Sequence, residues 1–89
     1  MKDLKGLEKI LKVLGNRRRL AILALLNGES EATVGEIAHT IKLSFTATSR
    51  HLGILRAVDL VEKDQRGLEV YYSLSKNLGR IVTNVLTEL

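Results

Sequence analysis

The 89-residue chain contains no cysteine and no proline. The absence of thiols removes disulfides, thiol redox sensing and thiolate metal sites together. Aromatic residues make up only 3% of the chain against 45% hydrophobic residues, so a core has to be built from Leu, Ile and Val. No apolar run approaches the roughly 20 residues a membrane span requires, and the first residues lack a signal-peptide hydrophobic region. The expectation is a soluble, cytoplasmic protein with no membrane partner. Internal repeats, low-complexity tracts and linkers are also missing, which leaves one domain over 1–89.

What is present is a modest surplus of base. Lys and Arg number 14 against 10 Asp and Glu, a net charge of +4 with a pI near 9.7. That balance favours a polyanionic partner, though many basic domains are merely soluble. A chain this short buries only about two-thirds of its unfolded surface, so association with a second copy would add stability it needs.

The stretch from Thr33 to Leu60 organises the rest. Thr33-Val34-Gly35-Glu36 is a capping box, in which the Thr33 hydroxyl and the Glu36 carboxylate satisfy amides left open at a helix start. Val34, Ile37, Ala38 and Ile41 recur at helical spacing and give that helix one buried face. A tight turn at Lys42-Leu43-Ser44 follows, and Ser44 caps a second helix whose inner stripe is Thr48, Leu52 and Leu55. Phe45, Thr46, Ser49 and Arg50 stay outside, with His51 at the edge. A rigid helix presenting small hydroxyls, one Arg and one His suits a DNA major groove, so 33–57 reads as a helix-turn-helix. Ser44, Phe45, Thr46, Ser49, Arg50 and His51 are its candidate DNA-facing residues.

Flanking segments complete the pattern. Over residues 2–14, Leu4, Leu7, Leu11 and Leu14 step by three and four beside Ile10, with lysines opposite, a narrow seam suited to pairing or to docking on its own domain. Asn16 caps a second helix, Arg17 to Leu26, apolar nearly all round after its first turn and closed by Asn27-Gly28. Arg17, Arg18 and Arg19 in that first turn are either a solvated face or a phosphate clamp. Glu29 to Ala32 reads as a polar loop. Residues 60–74 change period: Val70, Tyr72 and Leu74 share one face of a strand, and Gln65-Arg66-Gly67-Leu68 is a turn, so the segment is a β-hairpin. A hairpin directly after a helix-turn-helix is a wing, and Lys63 and Arg66 are its candidate phosphate or minor-groove contacts. Ser75 should cap a last helix over 76–89 carrying Leu78, Ile81, Val82, Val85 and Leu86. Pairing that stripe with the Leu4–Leu14 seam across a two-fold axis would bury both terminal helices. A homodimer would then read a palindromic operator as paired half-sites.

From Asn16 to Ser75 the sequence resembles the ArsR-type (arsenical-resistance repressor) family of winged helix-turn-helix regulators. The resemblance rests on Leu14-Gly15-Asn16-Arg17-Arg18-Arg19-Leu20, on Thr48-Ser49-Arg50-His51-Leu52-Gly53-Ile54-Leu55-Arg56, and on Leu60-Val61 with Arg66-Gly67 and Val70-Tyr71-Tyr72-Ser73-Leu74. It implies a homodimeric repressor, mainly α with a β-hairpin, in the order α-α-α-α-β-β-α. Family members often release DNA when a metal or other inducer binds. The family's cysteine metal positions correspond to Thr33 and Gly35 here, and its last-helix His and carboxylate site is left with only Glu88. Asp59 replaces the usual Gly before Leu-Val and should tolerate the left-handed turn. Phe45, at a position that tends to be polar, either packs on a thymine methyl or folds back onto the core.

Chemistry is not expected. His39 and His51 have no partner at ligand spacing, no Ser or Thr sits in a nucleophile elbow, and no Gly-rich loop cradles a phosphate. Neither metal nor cofactor is implied, no inducer is identified, and an enzyme is excluded. Two functions remain: a sequence-specific DNA-binding transcriptional regulator, and a winged-helix protein-interaction module that does not read DNA, with Phe45 as its contact.

Overall fold

Side-chain caps fix where the helices begin. In a computed structural model describing residues 3–89, α1 (Leu4–Leu14) opens on Asp3, whose carboxylate accepts from Gly6 N at 2.9 Å. Met1 lies outside the described residues, as does Lys2, the first residue of the expected 2–14 helix. Asn16 caps α2 (Arg17–Glu29) by accepting from Arg19 N at 3.1 Å. Thr33 caps α3 (Val34–Ile41) with the full reciprocal box: Glu36 N donates to Thr33 Oγ1 at 3.2 Å and Thr33 N to Glu36 Oε1 at 2.8 Å. Ser44 caps α4 (Phe45–Ala57), accepting from Ala47 N at 3.1 Å. Such caps each contribute about 1 kcal/mol.

The hairpin is β2 (Val61–Arg66) against β3 (Glu69–Leu74), antiparallel, with Val61 opposite Leu74 and Arg66 opposite Glu69. Gly67 takes φ 64° as the first of two loop residues, the place a tight hairpin reserves for glycine. An additional strand, β1 (Ala32–Thr33), pairs with Tyr72 and Tyr71, giving a three-stranded sheet in the order β1-β3-β2. The fold is a winged helix-turn-helix in the expected order, with this short strand inserted between α2 and α3.

Strand β1 explains a correction at the end of α2. The helix runs through Asn27-Gly28 to Glu29, and the positive φ falls on Ser30 at 69°. The chain has to leave the helix where Ala32 can reach Tyr72, and that long-range pairing overrides the local Asn-Gly preference for a cap. A second correction concerns the last helix. Ser75 caps nothing: its N–H extends the sheet by donating to Leu60 O at 3.0 Å, and Lys76 N is held by Glu62 Oε2 at 3.1 Å. The helix α5 therefore starts only at Arg80, after Gly79, and ends at Leu86.

Ile22, Leu23, Leu26, Ile37, Leu52 and Leu55 are the most deeply buried apolar side chains, so α2 is the strut against which α3 and α4 pack. Tyr72 is the one buried aromatic side chain among the described residues. Leu14 and Val82, expected on the dimer seam, are buried in this same core. Both residues face inward because α1 and α5 each use one edge of their stripe to dock on the chain's own body.

Candidate nucleic-acid interface

The turn between α3 and α4 sets the pose of the second helix. Lys42 adopts the left-handed conformation, φ 57° and ψ 51°. Leu43 N donates back to Ala38 O at 3.0 Å and Lys42 N to His39 O at 3.3 Å, the paired bonds of a Schellman closure. The same closure ends α4: Asp59 takes φ 59°, with Leu60 N on Leu55 O and Asp59 N on Arg56 O, both at 3.0 Å. Asp59 thus adopts the left-handed backbone that glycine would supply. Between these two closures α4 buries Thr48, Leu52 and Leu55 against the body.

Its opposite face carries Phe45, Thr46, Ser49 and Arg50, all exposed. Phe45 is 61% exposed, so it does not fold back onto the core. Ser44 has its hydroxyl committed to the cap and is itself exposed. His51 is half-buried at the edge of this face, and its Nδ1 lies 3.4 Å from Arg19 Nη1. Arginine only donates, so Nδ1 is the acceptor and the imidazole proton sits on Nε2. Burial pushes the His51 pKa below its ordinary 6.5, and the charges of Arg19, Arg50 and Arg18 push it further the same way. The N-terminus of α2 and the middle of α4 therefore meet in one cationic cluster.

Within that cluster the three arginines of α2 are not equivalent. Arg19 Nε donates to Val13 O at 2.7 Å and Nη2 to Lys12 O at 3.3 Å, so its side chain closes the C-terminal carbonyls of α1. Arg17 and Arg18 remain exposed. Sequence reasoning had no means to separate the three, because the carbonyls that claim Arg19 belong to a different helix.

The wing is arranged differently from the expectation of two free cations. Lys63 is exposed on the face of the hairpin that also carries Tyr72, its cross-strand partner. Arg66 lies on the other face and is held there by two carboxylates. Its Nη1 and Nη2 donate to the two carboxylate oxygens of Glu31 at 2.9 and 2.7 Å, and its Nε to Asp64 Oδ2 at 2.9 Å. The guanidinium also stands 4.5 Å above the Tyr71 ring. The hydrogen bond from Arg66 holds the Glu31 carboxyl below its ordinary value. Glu31 had read as loop; only its position next to β1, facing the side of the sheet that carries Tyr71, reveals the pair. Leu68, the last residue of the expected hairpin turn, stands wholly exposed at the wing tip.

Among the described residues no group of three or more His, Cys, Asp or Glu stands close enough to hold a metal ion, and no helix is long and apolar enough to cross a membrane. Comparison with known proteins decides what the geometry suggests. The family described as bacterial regulatory protein, arsR family, matches residues 16–63, from the cap of α2 into β2. The chain belongs to the arsR family. DNA-binding regulation is thereby its class of function. This arsR-family chain is 36% identical over 80 residues to the transcriptional activator HlyU of Vibrio cholerae, covering 90% of this chain and 73% of that protein. Its structure is similar to that of NolR from Sinorhizobium fredii, with a TM-score of 0.81 at 31% identity, covering 99% of this chain and 92% of that one. It is also similar to a homodimeric winged helix-turn-helix DNA-binding domain from Mycobacterium bovis, described as a possible ArsR-family transcriptional regulator. That comparison gives a TM-score of 0.80 at 32% identity over 96% of this chain and 75% of that one.

Proposed function

We propose that the chain is a cytoplasmic, homodimeric, sequence-specific DNA-binding regulator that represses by occupying a palindromic operator, with α4 in the major groove and the wing on the flanking backbone or minor groove. The carrying observation is the exposed face of α4, where Phe45, Thr46, Ser49 and Arg50 surround no core contact while the inner face is locked by Leu52 and Leu55. Arg50 is the base reader in this account, since a bidentate contact to guanine discriminates by about 1–3 kcal/mol. Ser49 and Thr46 contact phosphate or base edges. Exposed Arg17 and Arg18 supply phosphate contacts beside His51, which position the helix without reading sequence.

The dimer reading rests on what the protomer leaves uncovered. Leu4 and Leu11 on α1 and Ile81 on α5 are all exposed. Leu7 and Ile10 face Leu78 and Ile81 across an apolar groove of about 340 Å³. Val85 and Leu86 are half-buried against the core. The homodimeric state of the similar Mycobacterium bovis domain supports pairing of two chains.

The exposed Phe45 is the one observation that favours a protein-interaction module instead. Arg50→Ala separates the two readings. Loss of preference for operator over scrambled DNA, with the fold intact by circular dichroism, is the outcome for a reader of DNA; an interaction module leaves partner binding unchanged.

A further inference from the structure

Resting on the DNA-binding reading, we propose that Glu31 and Asp64 are built-in competitors for DNA phosphate at Arg66, so that the wing's cation is masked in the free protein and exchanged on binding. The fork of Arg66 that grips both oxygens of Glu31 is the same edge that grips two oxygens of a phosphate, and it holds one of them at a time. Asp64 takes the Nε–H and Tyr71 covers one face of the guanidinium, so three of its five N–H groups are already committed before a first phosphate encounter. The hairpin offers little else to phosphate. Residues 61–74 carry two cations, Lys63 and Arg66, against the three carboxylates Glu62, Asp64 and Glu69.

A strained turn presents the competitor. Ser30 sits at φ 69° and ψ −51°, and Glu31 N donates to Glu29 O at 2.7 Å across it. This is a γ-turn of the rarer hand, a conformation that persists only where surrounding contacts over-determine it. Strand pairing of Ala32 and the Arg66 fork are the contacts that do so here. The side chains of Arg66 and Glu31 remain 49% and 41% exposed, so the pair is weak enough for phosphate to displace. Because phosphate contacts carry no sequence information, the exchange sets how much the wing adds to affinity on any duplex.

Fluorescence anisotropy on a labelled duplex from the chain's own upstream region, and on a scrambled duplex of equal length, tests this between about 50 and 200 mM salt. Glu31→Gln with Asp64→Asn should tighten binding to both duplexes roughly three- to fivefold. The slope of log affinity against log salt should steepen by about 0.9, one extra phosphate contact. Adding Arg66→Ala to that pair should erase both gains. Glu69→Gln removes one negative charge from the hairpin without removing a bond to the fork and should leave the slope unchanged. A double variant that binds no tighter than the parent, or a gain that survives Arg66→Ala, overturns the proposal. If the parent fails to prefer its upstream duplex, the specific-regulator reading falls, while the scrambled duplex still reads the competition; if the parent binds neither duplex, both fall.

Discussion

His51 and Thr48 lie three residues apart on α4 and show how differently single side chains can be settled. Thr48 is fully buried, and its Oγ1 is the one buried side-chain oxygen among the described residues with no hydrogen-bond partner. Leaving a hydroxyl unpaired in a core costs about 1–3 kcal/mol. Thr48→Val should therefore raise unfolding stability by roughly 1 kcal/mol, read as a higher denaturant midpoint at unchanged slope. His51 has the opposite history: partial burial, then the charges of Arg19, Arg50 and Arg18, hold its pKa below 6.5. The unfolded chain then binds more protons than the folded one just below that value, so this contribution is complete above pH 6.5 and is lost as pH falls toward the lowered folded value. An NMR titration of His51 should give a midpoint below 6.5, and Arg19→Gln should move it upward. A midpoint at or above 6.5 would contradict the cationic cluster.

Helix and turn elements were the most legible part of the sequence, because their signals are local. Asn16, Thr33 with Glu36, and Ser44 announce helix starts through bonds spanning three residues, and each is present. Gly67 announces the hairpin turn in the same way. Elements whose boundaries depend on distant partners were not legible. Strand β1 is two residues long and exists only because Tyr71 and Tyr72 pass beside it. The late start of α5 follows from Ser75 and Lys76 being held by Leu60 and Glu62 across the sheet. The Arg66–Glu31 pair joins residues 35 apart, and nothing near either residue in sequence marks it. Two of the turns also store correctable strain, since Lys42 and Asp59 occupy left-handed backbone that costs a side chain about 1–2 kcal/mol. Lys42→Gly and Asp59→Gly should each stabilise the fold by up to about 1 kcal/mol. Gly28 offers the converse: it is helical, exposed, and has open space where a Cβ would stand, so Gly28→Ala should add about 0.5–1 kcal/mol. Thermal melts of the three variants check both statements, and a Gly at Asp59 that destabilises would count against the closure of α4 described above.

At the scale of the whole molecule, the chain divides into a locked body, an exposed face on α4 and an uncovered apolar surface on the terminal helices. In the proposed dimer that surface joins two reading faces into one, so breaking it should weaken DNA binding without touching α4. Leu11→Asp with Ile81→Asp should convert a dimer to a folded monomer in sedimentation, and lower operator affinity on the order of a hundredfold as the second half-site contact is lost. The exposed positions Leu11 and Ile81 were legible as helix-spaced leucine and isoleucine; the withdrawal of Leu14 and Val82 into the core was not, because spacing alone cannot say which edge of a stripe the body claims. The central claim, that this arsR-family chain reads a DNA sequence, is tested most directly by anisotropy of the purified protein on DNA from its own promoter against scrambled DNA at two salt concentrations. Tight, promoter-selective binding that weakens steeply with salt is the predicted result, since displaced counterions report phosphate contacts. Equal and feeble binding to both DNAs, with little dependence on salt, would contradict it.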